Sequence, residues 1–241
     1  MRWLSELEQL KGGRSTSEPP RVRPFVTAAF AISRDGYLSE ARGQGTAISG
    51  PESLQVTHQL RAIHDALLVG VGTVLSDDPL LTTRLVAGPS PLRVVLDSTL
   101  RMPESARMLR SASPAPWLVT TARASSQRVD ALVAAGADVH RVDDSDEGVS
   151  LVALLALLAE HGVRSLMVEG GACLLDSFFR AGCVDYVALT VSPVALGNPD
   201  AVALGGATRS ALACWQESHR DSLGNDHLLA GGVPRHAEVA S

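Results

Sequence analysis

The sequence predicts an α/β fold built on a mostly parallel sheet with helices on both faces. Runs such as "ALLVG", "LRVVL" and "SLMV" are rich in Val and Leu without alternation, as strands buried on both faces are. Between them lie segments with apolar residues at helical spacing, and this alternation of strand and helix is that of a parallel sheet. Several strands end on glycine or a carboxylate, where ligands of such folds are received.

The chain has 241 residues, 45% of them hydrophobic, enough for one sizeable core. Its formal charge of −5 provides no basic excess to neutralise phosphates, which argues against nucleic-acid binding. The three cysteines, Cys173, Cys183 and Cys214, form no CxxC and read as reduced thiols of a cytoplasmic protein. The longest aliphatic run, Val149 to Ala159, is too short to span a bilayer. "MRWLSELEQLKGG" has charges where a signal peptide needs its apolar centre. The expectation is a cytoplasmic protein with no membrane segment.

Each element follows in order. Residues 1–23 stand apart as an extension, and 24–241 form the domain. Trp3, Leu4, Leu7 and Leu10 could line one side of a short helix, followed by "GGRSTSEPP" as a linker. A frayed terminus is the preferred reading over a docked helix. "FVTAAFAI" is the first strand, closed by "SRDG" with Gly36 at positive φ. In "SGPESLQVTHQLRAI", Ser49 and Glu52 suggest a capping box and Pro51 suits the first turn. Val56, Leu60 and Ile63 give that helix its buried stripe.

"ALLVGVG", "LRVVLDS" and "PWLVTTA" read as strands. A helix over 125–135 and the strand "ADVHRV" follow. Ser150 caps "LVALLALLAEHG", which ends on Gly162. "RSLMVE" is a strand, and Leu174, Leu175, Phe178 and Phe179 pack one face of the next helix. "DYVALTVSP" and the runs around "ALACWQESHRD" and "DHLLAGGV" read as strands, the last two antiparallel.

Three strand ends invite chemistry: "VGVGTVLSDDP", "VVLDS" and "VEGGACLL". The first holds a lone GxG without the rest of a dinucleotide fingerprint, so an ordinary Rossmann site is not expected. Asp77 and Asp78 there are equally turn formers. The third is the most informative. Two glycines before a helix let backbone N–H groups approach a phosphate, and Glu169 stands at the mouth of that turn. No GxSxG, HExxH, Walker loop or zinc-deaminase motif is found, and the seven histidines make no metal pair. No metal site is expected. Cofactor chemistry, with two ligands held in register, suits what remains.

At these residues the chain resembles a known family. "RPFVTAAFAISRDG", "ISGPESLQVTHQLRAIHDALLVGVGTVLSDDPLLTTR", "PLRVVLDS" and "SLMVEGGACLLDSFFRAGCVDYVALTVSP" together are similar to the reductase domain of bacterial riboflavin-biosynthesis RibD, across roughly residues 23 to 233. The resemblance implies a three-layer, dihydrofolate-reductase-like fold and a cytoplasmic homodimer. It implies an NADPH-dependent reductase of 5-amino-6-(5-phosphoribosylamino)uracil, in which hydride reaches the ribose C1′ of an opened, imine-like form.

By position, Ala31, Thr73, Asp77 and Ser98 match cofactor contacts. Gly170, Gly171, Ala172, Cys173, Leu174, Leu175, Asp176 and Ser177 match the loop and helix start that hold the cofactor phosphates. Arg61, Leu81 and Arg84 match substrate positions, and Glu169 matches the carboxylate facing the substrate ribose and is the catalytic candidate. Without the resemblance, both arginines read as surface charges.

Three departures bear on substrate. Ala29 replaces a usual Lys, "SRDG" a usual "SLDG", and Gly45, Thr46 and Ala47 a usual Ser-x-Trp. The family's fused deaminase domain is not matched by these residues, and the expectation is that any deamination comes from another protein. Two alternatives remain: the same fold and cofactor acting on a pterin, a dihydrofolate-like compound or a specialised metabolite, and a non-catalytic nucleotide-binding relative.

Overall fold

The computed structural model describes residues 1–12, 22–110 and 114–234. In chain order the elements are α1 (Arg2–Gly12), β1 (Phe25–Ser33), β2 (Tyr37–Ser39), α2 (Pro51–Ile63), β3 (Ala66–Gly70), α3 (Val71–Asp77) and β4 (Leu92–Leu96). β5 (Trp117–Thr120), α4 (Ser126–Ala134), β6 (Asp138–Arg141), β7 (Asp144–Ser145), β8 (Gly148–Val149), α5 (Leu151–Glu160) and β9 (Ser165–Val168) follow. The chain closes with α6 (Ala172–Arg180), β10 (Tyr186–Ser192), β11 (Val202–Ala203), α7 (Gly206–Cys214), β12 (His219–Leu223) and β13 (Asp226–Gly232).

Nine strands form one sheet, in the order β12-β13-β10-β1-β9-β3-β4-β5-β6. All pairings from β10 to β6 are parallel, and β13 runs against both its neighbours. Short antiparallel pairs, β2 with β11 and β7 with β8, stand outside it. One core cluster gathers Val56, Leu60, Val71, Val74 and Leu132 from α2, α3 and α4 on one face. The other gathers Leu154, Leu158, Leu175 and Phe178 from α5 and α6 on the opposite face. The result is three layers, as the continuous apolar strands demand.

Much of the local chemistry is as expected. Gly36 takes φ 89 after β1. Ser150 Oγ accepts the Ala153 N–H, and Gly162 at φ 80 follows the end of α5. Other expectations need correction. Ser49 and Glu52 form no capping box. The N-cap of α2 is Gly50, with no side-chain cap of its own. A distant carboxylate substitutes: Asp226 Oδ2 on β13 accepts from Gly50 N at 2.7 Å and from Ser53 Oγ at 2.6 Å.

"ALLVGVG" is not strand throughout. β3 stops at Gly70, and α3 starts directly at Val71, burying Val71 and Val74 at helical spacing. "ALAC" lies in helix α7 rather than a strand, since "GATRSALAC" is rich in small helix-forming residues, and β12 begins only at His219.

The preferred reading of a frayed N-terminus also fails. α1 docks, with Trp3 1% and Leu7 0% exposed among residues of the first cluster. Lys11 Nζ donates to the Ile63 carbonyl at the end of α2, and Glu6 meets His219 Nε2 at 2.5 Å. Burial of two large side chains outweighs the entropy of ordering a short helix. The expected linker, apart from Gly12, lies outside the described residues.

Candidate active site

The carboxyl ends of β9, β3 and β4 lie side by side because their pairing is parallel and in near register, Leu68 opposite Val168 and Gly70 opposite Leu96. Glu169 leaves the end of β9, its N–H bonded to the Leu68 carbonyl at 2.9 Å. Its carboxylate is met from α2 by Arg61: Nε to Oε2 at 3.0 Å and Nη2 to Oε1 at 2.6 Å. This is the two-pronged geometry in which Arg binds carboxylate best. The Arg61 side chain is 7% exposed and that of Glu169 26%, so the pair opens outward on the carboxylate side.

Arg61 also donates from Nη1 to the Thr82 carbonyl at 3.2 Å, drawing in the loop after α3. Asp78 opens that loop as the left-handed C-cap of α3, φ 40, and its Oδ1 accepts the Arg107 N–H. It is a turn former, as one reading of the sequence had it. Leu81 takes φ 56 and is buried, which anchors the loop, and Arg84 is exposed at its far end.

The glycine pair divides into two cases. A Cβ at Gly170 would lie 2.9 Å from Leu174 Cδ2, so packing within the chain explains that glycine. Gly171 is the exposed N-cap of α6, with φ −72 and ψ 173, and a Cβ there would meet nothing within 4 Å. Neither its backbone nor its packing requires glycine. That leaves room for a group from outside the polypeptide, as a phosphate-binding turn needs.

Beyond the turn, Ala172, Cys173, Asp176 and Ser177 line an open cavity of about 850 Å³, together with Arg42 and Arg180. Leu175 is fully buried, so it could meet a ligand only through its backbone, and Leu174 packs partly buried against the core. Asp176 is committed elsewhere: it accepts the Thr208 N–H at 3.0 Å in the first turn of α7 and pairs with Arg180. Ser177 Oγ donates to Glu147.

The other residues expected on the cofactor side lie at the same edge of the sheet. Thr73 is half-buried in α3, and Ser98 follows β4, its carbonyl held by Thr121 Oγ1 at 3.1 Å. Ala31 lies near the end of β1, opposite Thr190. Asp77 is exposed, and the loop carrying the altered positions passes directly over it: a Cβ on Gly45 would fall 2.2 Å from Asp77 Oδ1. Ala29 is buried on β1 and belongs to the same core cluster as Val56 and Leu60 of α2.

One residue escaped the sequence reading. His58, 0% exposed, accepts the Arg84 N–H through Nδ1 at 3.0 Å. Burial, and then the charges of Arg61 and Arg84, push its pKa down to about 4, with Glu169 opposing. The available signal was its place three residues before Arg61, on the same helix face. Among the described residues no His, Cys, Asp and Glu group could hold a metal ion, and no helix is long and apolar enough to cross a membrane.

A three-layer α/β sheet with its polar site at the carboxyl edge, beside an exposed glycine at a helix start, defines a ligand-binding fold of the dihydrofolate-reductase type. Dihydrofolate reductase from Enterococcus faecalis shares it at TM-score 0.51 and 13% identity, over 87% of this chain and 97% of that one. The chain belongs to the RibD C-terminal domain family, whose model matches residues 24–229.

The 2,5-diamino-6-ribosylamino-4(3H)-pyrimidinone 5′-phosphate reductase of Archaeoglobus fulgidus is 38% identical over 189 residues, covering 74% of this chain and 84% of that protein. The riboflavin biosynthesis protein RibD of Bacillus amyloliquefaciens is 35% identical over 176 residues, and the match spans 73% of this chain and 47% of that longer protein. Acinetobacter baumannii RibD superposes with TM-score 0.72 at 25% identity, over 88% of this chain and 58% of that one.

Proposed function

We propose that this chain is an NADPH-dependent reductase of 5-amino-6-(5-phosphoribosylamino)uracil, working as a cytoplasmic homodimer with its reductase domain in residues 24–241. The observation that carries the reading is the Arg61–Glu169 pair at the end of β9, with Arg84 exposed on a loop tied to the same helix. Arg61 fixes the orientation of Glu169. The half-exposed carboxylate then faces the sugar, where it stabilises positive charge developing at an iminium-like C1′ and orients the ribose hydroxyls. Arg84 receives the substrate phosphate as a charge-assisted partner.

Residues at the neighbouring strand ends suit the cofactor. Gly171 leaves open space at the start of α6, whose partial positive charge favours phosphate. Thr73, Asp77 and Ser98, after β3 and β4, would contact the rest of the cofactor, with Ala31 beside its nicotinamide. NADPH, when bound there, would supply the hydride.

A second reading of the ring has a specific support. Relatives from Archaeoglobus fulgidus and Methanothermobacter thermautotrophicus, each 38% identical, are named for the 2,5-diamino-pyrimidinone phosphate. Ala29, Gly45 and Ala47, which differ from the family's usual residues, are the positions that would bear on the choice between the two rings. Loss of NADPH absorbance, followed with the uracil phosphate, the diamino-pyrimidinone phosphate and dihydrofolate in parallel, tests the proposal. Turnover of a phosphoribosylamino-pyrimidine is expected. Turnover of dihydrofolate alone, or of none of them, would overturn it.

A further inference from the structure

Helix α2 carries a polar side chain to which the reading above gives no task. His58 stands one turn before Arg61 and is completely buried, and its Nδ1 accepts the Arg84 N–H at 3.0 Å. An amide N–H can only donate, so Nδ1 bears no proton and the neutral ring keeps its proton on Nε2. Among the described residues Nε2 has no hydrogen-bond partner. A buried donor left unbonded is destabilising, so the fold holds this imidazole at a cost. The hydrogen bond to Arg84 is what the ring provides in return. With its pKa down at about 4, the ring stays neutral at ordinary pH and the acceptor stays available.

The same helix face makes a second tether to the same loop, from Arg61 Nη1 to the Thr82 carbonyl at 3.2 Å. Between the tethered loop and Glu169 stands Arg61, bonded to both. One rigid helix therefore sets the carboxylate through residue 61 and the arginine main chain through residue 58. Leu81, buried at φ 56, prevents the loop from sliding.

We propose that His58 is a positioning residue: it fixes the main chain of Arg84, and so the reach of the guanidinium that receives the substrate phosphate, relative to the Arg61–Glu169 pair. This rests on the reading of Arg84 given above. Two substitutions separate the ring nitrogens. His58→Asn keeps an oxygen acceptor near the place of Nδ1. His58→Gln carries its amide outward to the place of Nε2 and leaves the Arg84 N–H unbonded.

The KM of the phosphorylated pyrimidine, the NADPH Kd and the Tm are measured for both variants and for Arg84→Ala, with the phosphate-free riboside as a control substrate. His58→Gln is expected to raise the KM for the phosphorylated substrate about tenfold, leave NADPH Kd unchanged, and spare kcat/KM for the riboside. His58→Asn should return KM to within about threefold of the parent. A riboside rate that falls equally with His58→Gln would show a merely structural role and overturn the proposal. If His58→Gln does not fold, His58→Asn decides, because a tenfold rise in its KM would remove the Nδ1 contact as the cause. An unchanged KM in Arg84→Ala would defeat the phosphate reading and this proposal together. A raised KM there with none in His58→Gln would defeat this proposal alone.

Discussion

Two residues of the proposed site, Glu169 and Gly171, each have their own test. Glu169→Gln removes the charge but keeps the shape, and kcat is expected to fall about a hundredfold, the worth of an electrostatic contact of a few kcal/mol. NADPH affinity should stay nearly intact. The Tm should fall too, because Arg61, 6% exposed, loses its counter-charge. The decisive number is therefore turnover per folded molecule, and a normal kcat would defeat the catalytic role. At Gly171, Val meets no protein atom at its Cβ, so the fold is retained while the space offered to phosphate is filled. Titration of tryptophan fluorescence with NADPH should show binding lost in Gly171→Val, and unchanged affinity would return the glycine to the rank of an ordinary turn.

At the scale of elements, the strands were the most legible part. Buried parallel strands leave an unbroken apolar run, and β3, β4, β5, β9 and β10 were all read from theirs. The pieces of two or three residues, β2, β7, β8 and β11, leave no such trace. Helix ends were harder. Ser150 caps from its own neighbourhood and was legible, whereas α2 is capped by Asp226 from across the sheet, which no local pattern encodes. The site followed the same rule. Glu169 and the glycines could be read from one short stretch, but His58 has meaning only through a loop 26 residues away.

The docked α1 was missed because four apolar residues in a polar, linker-bound terminus match a free end as well as a docked one. Its role is open to test. Trp3→Ala empties a site that is 1% exposed and should cost about 3–5 kcal/mol, read as a lower midpoint in urea. An unaltered midpoint would mean that the helix contributes nothing to the folded chain.

For the molecule as a whole, two buried histidines govern the response to acid. His64 donates from Nδ1 to the Leu60 carbonyl and accepts from Thr27 Oγ1, joining α2 to β1. Burial first, then the charge of Lys11, push it down to about 3, and His58 lies at about 4. Both folded values fall below the ordinary 6.5, so the unfolded chain takes up protons first as pH falls. Stability is retained above about pH 6.5 and lost below it, at roughly 1.4 kcal/mol per pH unit for each ring. Loss continues to about pH 4 for His58 and pH 3 for His64. Urea titrations between pH 7 and pH 4 should show this slope, and a flat profile across that range would contradict it.

Asp226 has one further consequence, in the time at which the enzyme becomes competent. The carboxylate that seats the start of α2 lies 176 residues after the glycine it caps. On a ribosome adding about 5–20 residues per second, α2 would wait roughly 10–35 s for that partner. Through that interval the helix bearing His58 and Arg61 would be made but not fastened at its leading end. A nascent chain halted between α6 and β13 would hold every residue of the proposed active site and still lack the means to align them. Activity should emerge with the last strand, all at once.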